Sequence, residues 1–77
     1  MAVGYVLLNV VPDKDHDVYL SLKDVESVAD VTVLFGDYEL IVKLVADDLS
    51  SIATAVVESI RQIPGILDSK TLAGAEF

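Results

Sequence analysis

Apolar residues recur along this chain in two distinct periods, and the alternation between them outlines its elements. Val3 to Val11 is almost continuously apolar and rich in β-branched residues, which predicts a strand buried on both faces. Pro12-Asp13 then ends it, because proline cannot donate to a ladder. From Asp13 to Val25 the spacing changes. Val18, Leu22 and Val25 fall at i, i+4 and i+7 with Tyr19 beside them, one stripe of a short helix. Asp13 or Asp15 can cap it, and Asp13, Asp15 and Asp17 suit the positive end of its dipole.

Val28 to Phe35 and Tyr38 to Val45 read as two further strands. Gly36-Asp37 between them predicts a two-residue type II′ hairpin turn, with glycine at the first central position. Asp47-Asp48 offers an N-cap for a long helix. Leu49, Ile52, Ala53, Val56, Ile60 and Ile63 line one side of that helix, and Pro64-Gly65 stops it. Ile66 to Ala73 is a fourth strand, and Gly74 to Phe77 reads as a tail.

The order is therefore β-α-β-β-α-β within a single domain spanning residues 1–77. Its compact solution is an α+β fold of the ferredoxin-like type, a four-stranded antiparallel sheet with two helices on one face. Two short helices cover only one face of a sheet. In the strand from Tyr38, the residues Tyr38, Leu40, Val42 and Leu44 make a wholly apolar face, yet the opposite face still holds Ile41 and Val45 beside Glu39 and Lys43. In the first strand Val6, Leu8 and Val10 alternate with Tyr5, Leu7 and Asn9, again largely apolar on both sides. A face open to water alternates more cleanly. The second face is expected to pack against that of another copy, as a symmetric dimer. The alternative is a monomer with an unusually apolar surface.

Composition strengthens that expectation. Hydrophobic residues make up 53% of only 77. A domain of this size buries only about 60% of its unfolded surface and usually needs a staple. With no cysteine there is no disulfide or thiolate metal site, and a single histidine, His16, excludes a multi-histidine zinc site. Association is the staple that remains. The formal net charge of −8 disfavours nucleic acid and anionic membranes as direct partners. The start lacks a basic leader segment and no apolar run has the length of a membrane span, so a cytoplasmic protein is expected.

Candidate chemistry is sparse, and no catalytic residues, metal ligands or cofactor site are assigned. His16 lies on the polar side of an acidic helix and reads as a solvated surface residue. The triplet Asp13, Asp15 and Asp17 lacks the downstream glycine and glutamate of a calcium loop. One cluster stands apart. Gly36-Asp37-Tyr38-Glu39 puts two acids and an aromatic at a hairpin tip, and Ser69 and Thr71 add hydroxyls in the last strand. Main-chain amides beside a glycine, with carboxylates near, can hold both ends of an amino acid. An ordinary solvated turn is the plainer reading of the same residues.

The run Val31-Thr32-Val33-Leu34-Phe35-Gly36-Asp37-Tyr38-Glu39-Leu40-Ile41-Val42-Lys43 resembles the centre of the effector domain of the Lrp/AsnC family, also called RAM. Ile60 to Ile66 resembles that family's helix end, Thr71-Leu72 its following strand, and Tyr5-Val6-Leu7 with Pro12 its first strand and turn. Glu39 stands where the family pattern has Asp, one methylene shorter. The resemblance implies a non-enzymatic, stand-alone module for amino-acid sensing and assembly, with no room in the chain for the family's helix-turn-helix. Its dimers would join into a ring. Gly36, Tyr38 and Glu39 would lie at an effector site between dimers, with Asp37, Ser69 and Thr71 as further candidates. Two other functions compete. One is an effector-blind partner that co-assembles with full-length Lrp/AsnC regulators. The other is a small dimeric ferredoxin-like enzyme, for which only Asn9 and Tyr5 offer a polar group.

Overall fold

The structure, a computed structural model, describes residues 1–76, with side chains as far as Leu72. Six regular elements follow in the expected order. They are β1 (Ala2–Val10), α1 (Asp15–Lys23), β2 (Val28–Val33), β3 (Leu40–Ala46), α2 (Leu49–Ala55), which runs into a π-helical turn over Val56–Ile60, and β4 (Ile66–Glu76). The sheet order is β2-β3-β1-β4 and every neighbouring pair is antiparallel, so the ferredoxin-like fold is the one observed.

Strand alternation decides which side chains meet the helices. Val6, Leu8 and Val10 from β1, Leu40, Val42 and Leu44 from β3, and Val31 from β2 are all buried. Val18 and Leu22 of α1, Ile52 of α2, and Val56 and Ile60 of the π turn close over them. Full burial of each such side chain is worth about 1.5–3 kcal/mol. Gly4 lets α2 come close to β1, since a Cβ there would stand 2.9 Å from Ile52 Cγ2. Gly65, at φ 101°, turns the chain into β4, and its carbonyl accepts from the Val11 N–H at 2.7 Å. The end of β1 is thereby tied to the turn that leads into β4.

The start of α2 follows the sequence closely. The Asp48 carboxylate accepts from the Ser51 N–H at 2.7 Å, and that bond holds its pKa below the usual 3.8. The rest of this helix departs from expectation. It passes into an i→i+5 turn, with the Arg61 N–H on the Val56 carbonyl at 2.9 Å. Ile52, Val56 and Ile60 step by four, which overshoots a 3.6-residue turn by about 40° each time. The wider turn takes up that excess and keeps all three on the core. Ala53, expected on the inner face, is exposed.

Other boundaries also differ. The first helix is shorter than Asp13–Val25, and no aspartate caps it. Its N-cap is Lys14, without a side-chain bond, because Asp13 sits at φ 71° in the turn after Pro12. Strand pairing of β2 with β3 ends at Val33–Leu40, with one further bond from the Leu34 N–H to the Glu39 carbonyl at 2.8 Å. The tip is thus Phe35 to Tyr38 rather than a two-residue turn, and Gly36, at φ 134°, opens a wider loop. Residues 74–76, expected as a tail, extend β4, whose Glu76 pairs with Ala2. Phe77 lies outside the described residues.

Candidate functional site

The tip between β2 and β3 is anchored to the sheet on both sides. Besides the Leu34–Glu39 bond, the Glu39 N–H donates to the Leu8 carbonyl of β1 at 2.9 Å. Between these anchors the amides of Gly36, Asp37 and Tyr38 have no backbone partner among the described residues. Nothing lies within 4 Å of where a Gly36 Cβ would stand. Gly36, Asp37 and Glu39 are exposed and Tyr38 is half-buried. Free N–H donors, flanked by carboxylates and open to approach, can bind a carboxylate and an ammonium together.

Ser69 and Thr71 lie elsewhere. Ser69 pairs with Leu8 and Thr71 with Val6, so both hydroxyl residues are on the helix side of the edge strand β4. The Leu8 carbonyl also accepts from the N–H of Glu39, the residue before β3, which leaves β1 standing between Ser69 and the tip. Two strand spacings separate them, roughly 9–10 Å. Within one chain, then, the fold gathers Gly36, Asp37, Tyr38 and Glu39 and leaves Ser69 and Thr71 apart.

Beside the tip, on the helix side of the sheet, lies a groove of about 570 Å³. It is lined from α1 by Asp15, His16 and Tyr19, from the end of β2 and its loop by Val33, Leu34 and Phe35, and by Glu39 and Leu40. Its origin is the shortness of α1. Val33 and Leu40 are a cross-strand pair on the helix-facing side, but Leu40 is 2% exposed and Val33 61% exposed, because α1 does not reach the end of β2. Phe35 is 100% exposed at the rim. Of these lining residues only Glu39 stands among the candidates drawn from the sequence. His16 is indeed exposed, but it faces this groove as well as solvent. The signal for it lay in distance, not in order: Asp15 and Glu39 are far apart in the chain and line one groove only once α1 packs on the sheet.

The chain matches one known family. Residues 4–73 match the Lrp/AsnC ligand binding domain, and the chain belongs to that family. FFRP-DM1 is similar in structure, with a TM-score of 0.91 at 28% identity over 97% of this chain and 100% of that one. The hypothetical protein PHS023 from Pyrococcus horikoshii is similar at a TM-score of 0.91 and 27% identity, over 100% of this chain and 93% of its own. The transcriptional regulator NMB0573 from Neisseria meningitidis, solved as a complex with L-Met, shares the fold at 14% identity and a TM-score of 0.84. The alignment covers 97% of this chain but 50% of that regulator. No curated protein matches the chain in sequence. The chain is thus an effector-binding module of a regulatory family, and its helices among the described residues are too short or too polar to cross a membrane.

Proposed function

We propose that the protein is an amino-acid-binding regulatory and oligomerisation module that acts through assembly and does not itself contact DNA. Two copies pack the open faces of their sheets together. Dimers join further into a ring, and a free amino acid binds at the junction beside Gly36 to Glu39. The observation that carries this reading is the tip itself, where the amides of Gly36, Asp37 and Tyr38 have no backbone partner among the described residues and carboxylates flank them, in a chain of the Lrp/AsnC ligand binding domain.

The roles follow from chemistry. The tip amides hold the ligand carboxylate, which glycine permits at close range. Glu39 or Asp37 accepts from its ammonium in a charge-assisted bond. Ser69 and Thr71 lie two strands away in their own chain, so they join the site only from a neighbouring copy. The complex of NMB0573 with L-Met supports an amino acid as the class of effector. Binding at a shared junction favours one assembly by its differential affinity.

Calorimetry or thermal shift against the twenty amino acids at millimolar concentration tests this. At least one should bind, and Tyr38→Ala should shrink the largest assembly in native mass spectrometry while leaving dimers. If no amino acid binds and the assembly is intact, the chain is an effector-blind assembly partner, and co-assembly with full-length regulators becomes the reading to test.

A further inference from the structure

The groove beside the tip has a chemistry of its own. Its floor and walls are apolar or aromatic, from Val33, Leu34, Leu40, Tyr19 and Phe35. Its charged lining is Asp15 from α1 and Glu39 from the tip, and no lysine or arginine lines it. Lys23 contacts the lining residue Tyr19, its ammonium 5.4 Å from the centroid of the ring. That contact lies one turn further along α1, outside the groove lining. The volume of about 570 Å³ falls within the range of small-molecule sites, about 300–1,000 Å³.

An apolar slot with carboxylates contributed from two elements complements one kind of ligand. We infer that the groove selects a cation: an alkylammonium carried on a chain of several methylenes, its charged end between Asp15 and Glu39. The methylenes lie along Val33 and Leu40, and the open ring of Phe35 supplies a π face for the charge. An anionic side chain meets like charge there, and a neutral aliphatic one leaves both carboxylates without a partner. This inference rests on the reading of the chain as an effector module and specifies the side chain that the effector carries. The same chemistry has two sources. A basic amino acid would place its carboxylate on the amides of Gly36 to Tyr38 and its side chain in the groove. A diamine would occupy the groove alone.

His16 makes the test local. It is the one histidine of the chain and it lines the groove, so its ring proton resonances report on this place and no other. The full chain is titrated with L-lysine, 1,5-diaminopentane, L-norleucine and L-glutamate, following those resonances by NMR and the thermal midpoint in parallel. L-lysine, 1,5-diaminopentane or both should shift them saturably at millimolar concentration. L-norleucine should bind at least tenfold more weakly and L-glutamate not at all. The Asp15→Asn variant should weaken the cation at least tenfold and leave norleucine unchanged, while Glu39→Gln should weaken the cation at least tenfold and norleucine far less. A response to the diamine alone identifies a free amine as the ligand, and one to lysine alone an amino acid. If norleucine matches lysine, or glutamate binds better, the selection of a cation is overturned while the effector reading stands. The same holds if another amino acid raises the thermal midpoint and His16 does not move. If none of the twenty amino acids and no amine has any effect, both readings fall.

Discussion

The two faces of the sheet are built from similar residues and meet different fates. On one face, Val6, Leu8, Val10, Leu40, Val42 and Leu44 lie beneath the helices at no more than 2% exposure. On the other, register pairs Leu7 with Ile41, Val3 with Val45 and Tyr5 with Leu72, yet the first four are half-buried and Tyr5 and Leu72 remain 36% and 42% exposed. Polar residues interrupt this second face at Asn9, Lys43, Asp68 and Lys70, and at Asp30 and Thr32 on the edge strand β2. Its centre stays apolar. Hydropathy alone does not separate a covered face from an open one. The difference is cover, and helices of nine and seven residues supply it to one side only.

Breaking the covered face should have the largest effect. Leu8→Ala removes a fully buried side chain at the centre of the core, and the expected loss is about 2–5 kcal/mol. Chemical denaturation should show it at every protein concentration. On the open face, Ile41→Glu should instead abolish association and leave the chain folded. Stability gained by mass action would vanish, about 2.7 kcal/mol where the chain stands at a hundred times its dissociation constant. Its signature is a thermal midpoint that no longer rises with concentration.

Smaller effects sharpen the contrast. Gly4→Ala places a methyl group 2.9 Å from Ile52 Cγ2, and overpacking of this kind costs about 1–3 kcal/mol. The neighbouring Tyr5→Phe, on the open side, should leave the folded monomer unaffected. The smallest effect concerns acid. The Asp48 pKa is lowered in the folded state by its bonds to Ser51, so its contribution is complete above the usual 3.8 and fades as the pH falls through and below that value. Asp48→Ala should reduce the acid-range slope of the thermal midpoint and leave oligomer mass unchanged.

Much of this organisation was legible in the chain. Period-2 and period-3.6 spacing located the strands and helices, and the apolar character of Ile41, Val45, Tyr5 and Leu7 at alternate positions marked the second face. Terminal geometry was less legible. The Asp13 φ of 71° and the Gly36 φ of 134° depend on how a turn fits between packed elements, and neither follows from residue type alone. The π turn was implicit in the four-residue steps from Ile52 to Ile60 but reads as an ordinary helix by eye. The groove was the least legible part, since its lining joins Asp15, His16 and Tyr19 of α1 to Val33, Leu34, Phe35, Glu39 and Leu40, which are distant in sequence. The Gly36 to Glu39 cluster was visible from local order because its residues are contiguous.

Light scattering over a micromolar concentration series tests the open face most directly. The wild-type chain should run at twice its 8.3 kDa mass or a higher multiple, and Ile41→Glu should run at 8.3 kDa with its fold retained by circular dichroism. A wild-type chain that stays at 8.3 kDa throughout would contradict the account, since the second apolar face would then be stable in water without a partner.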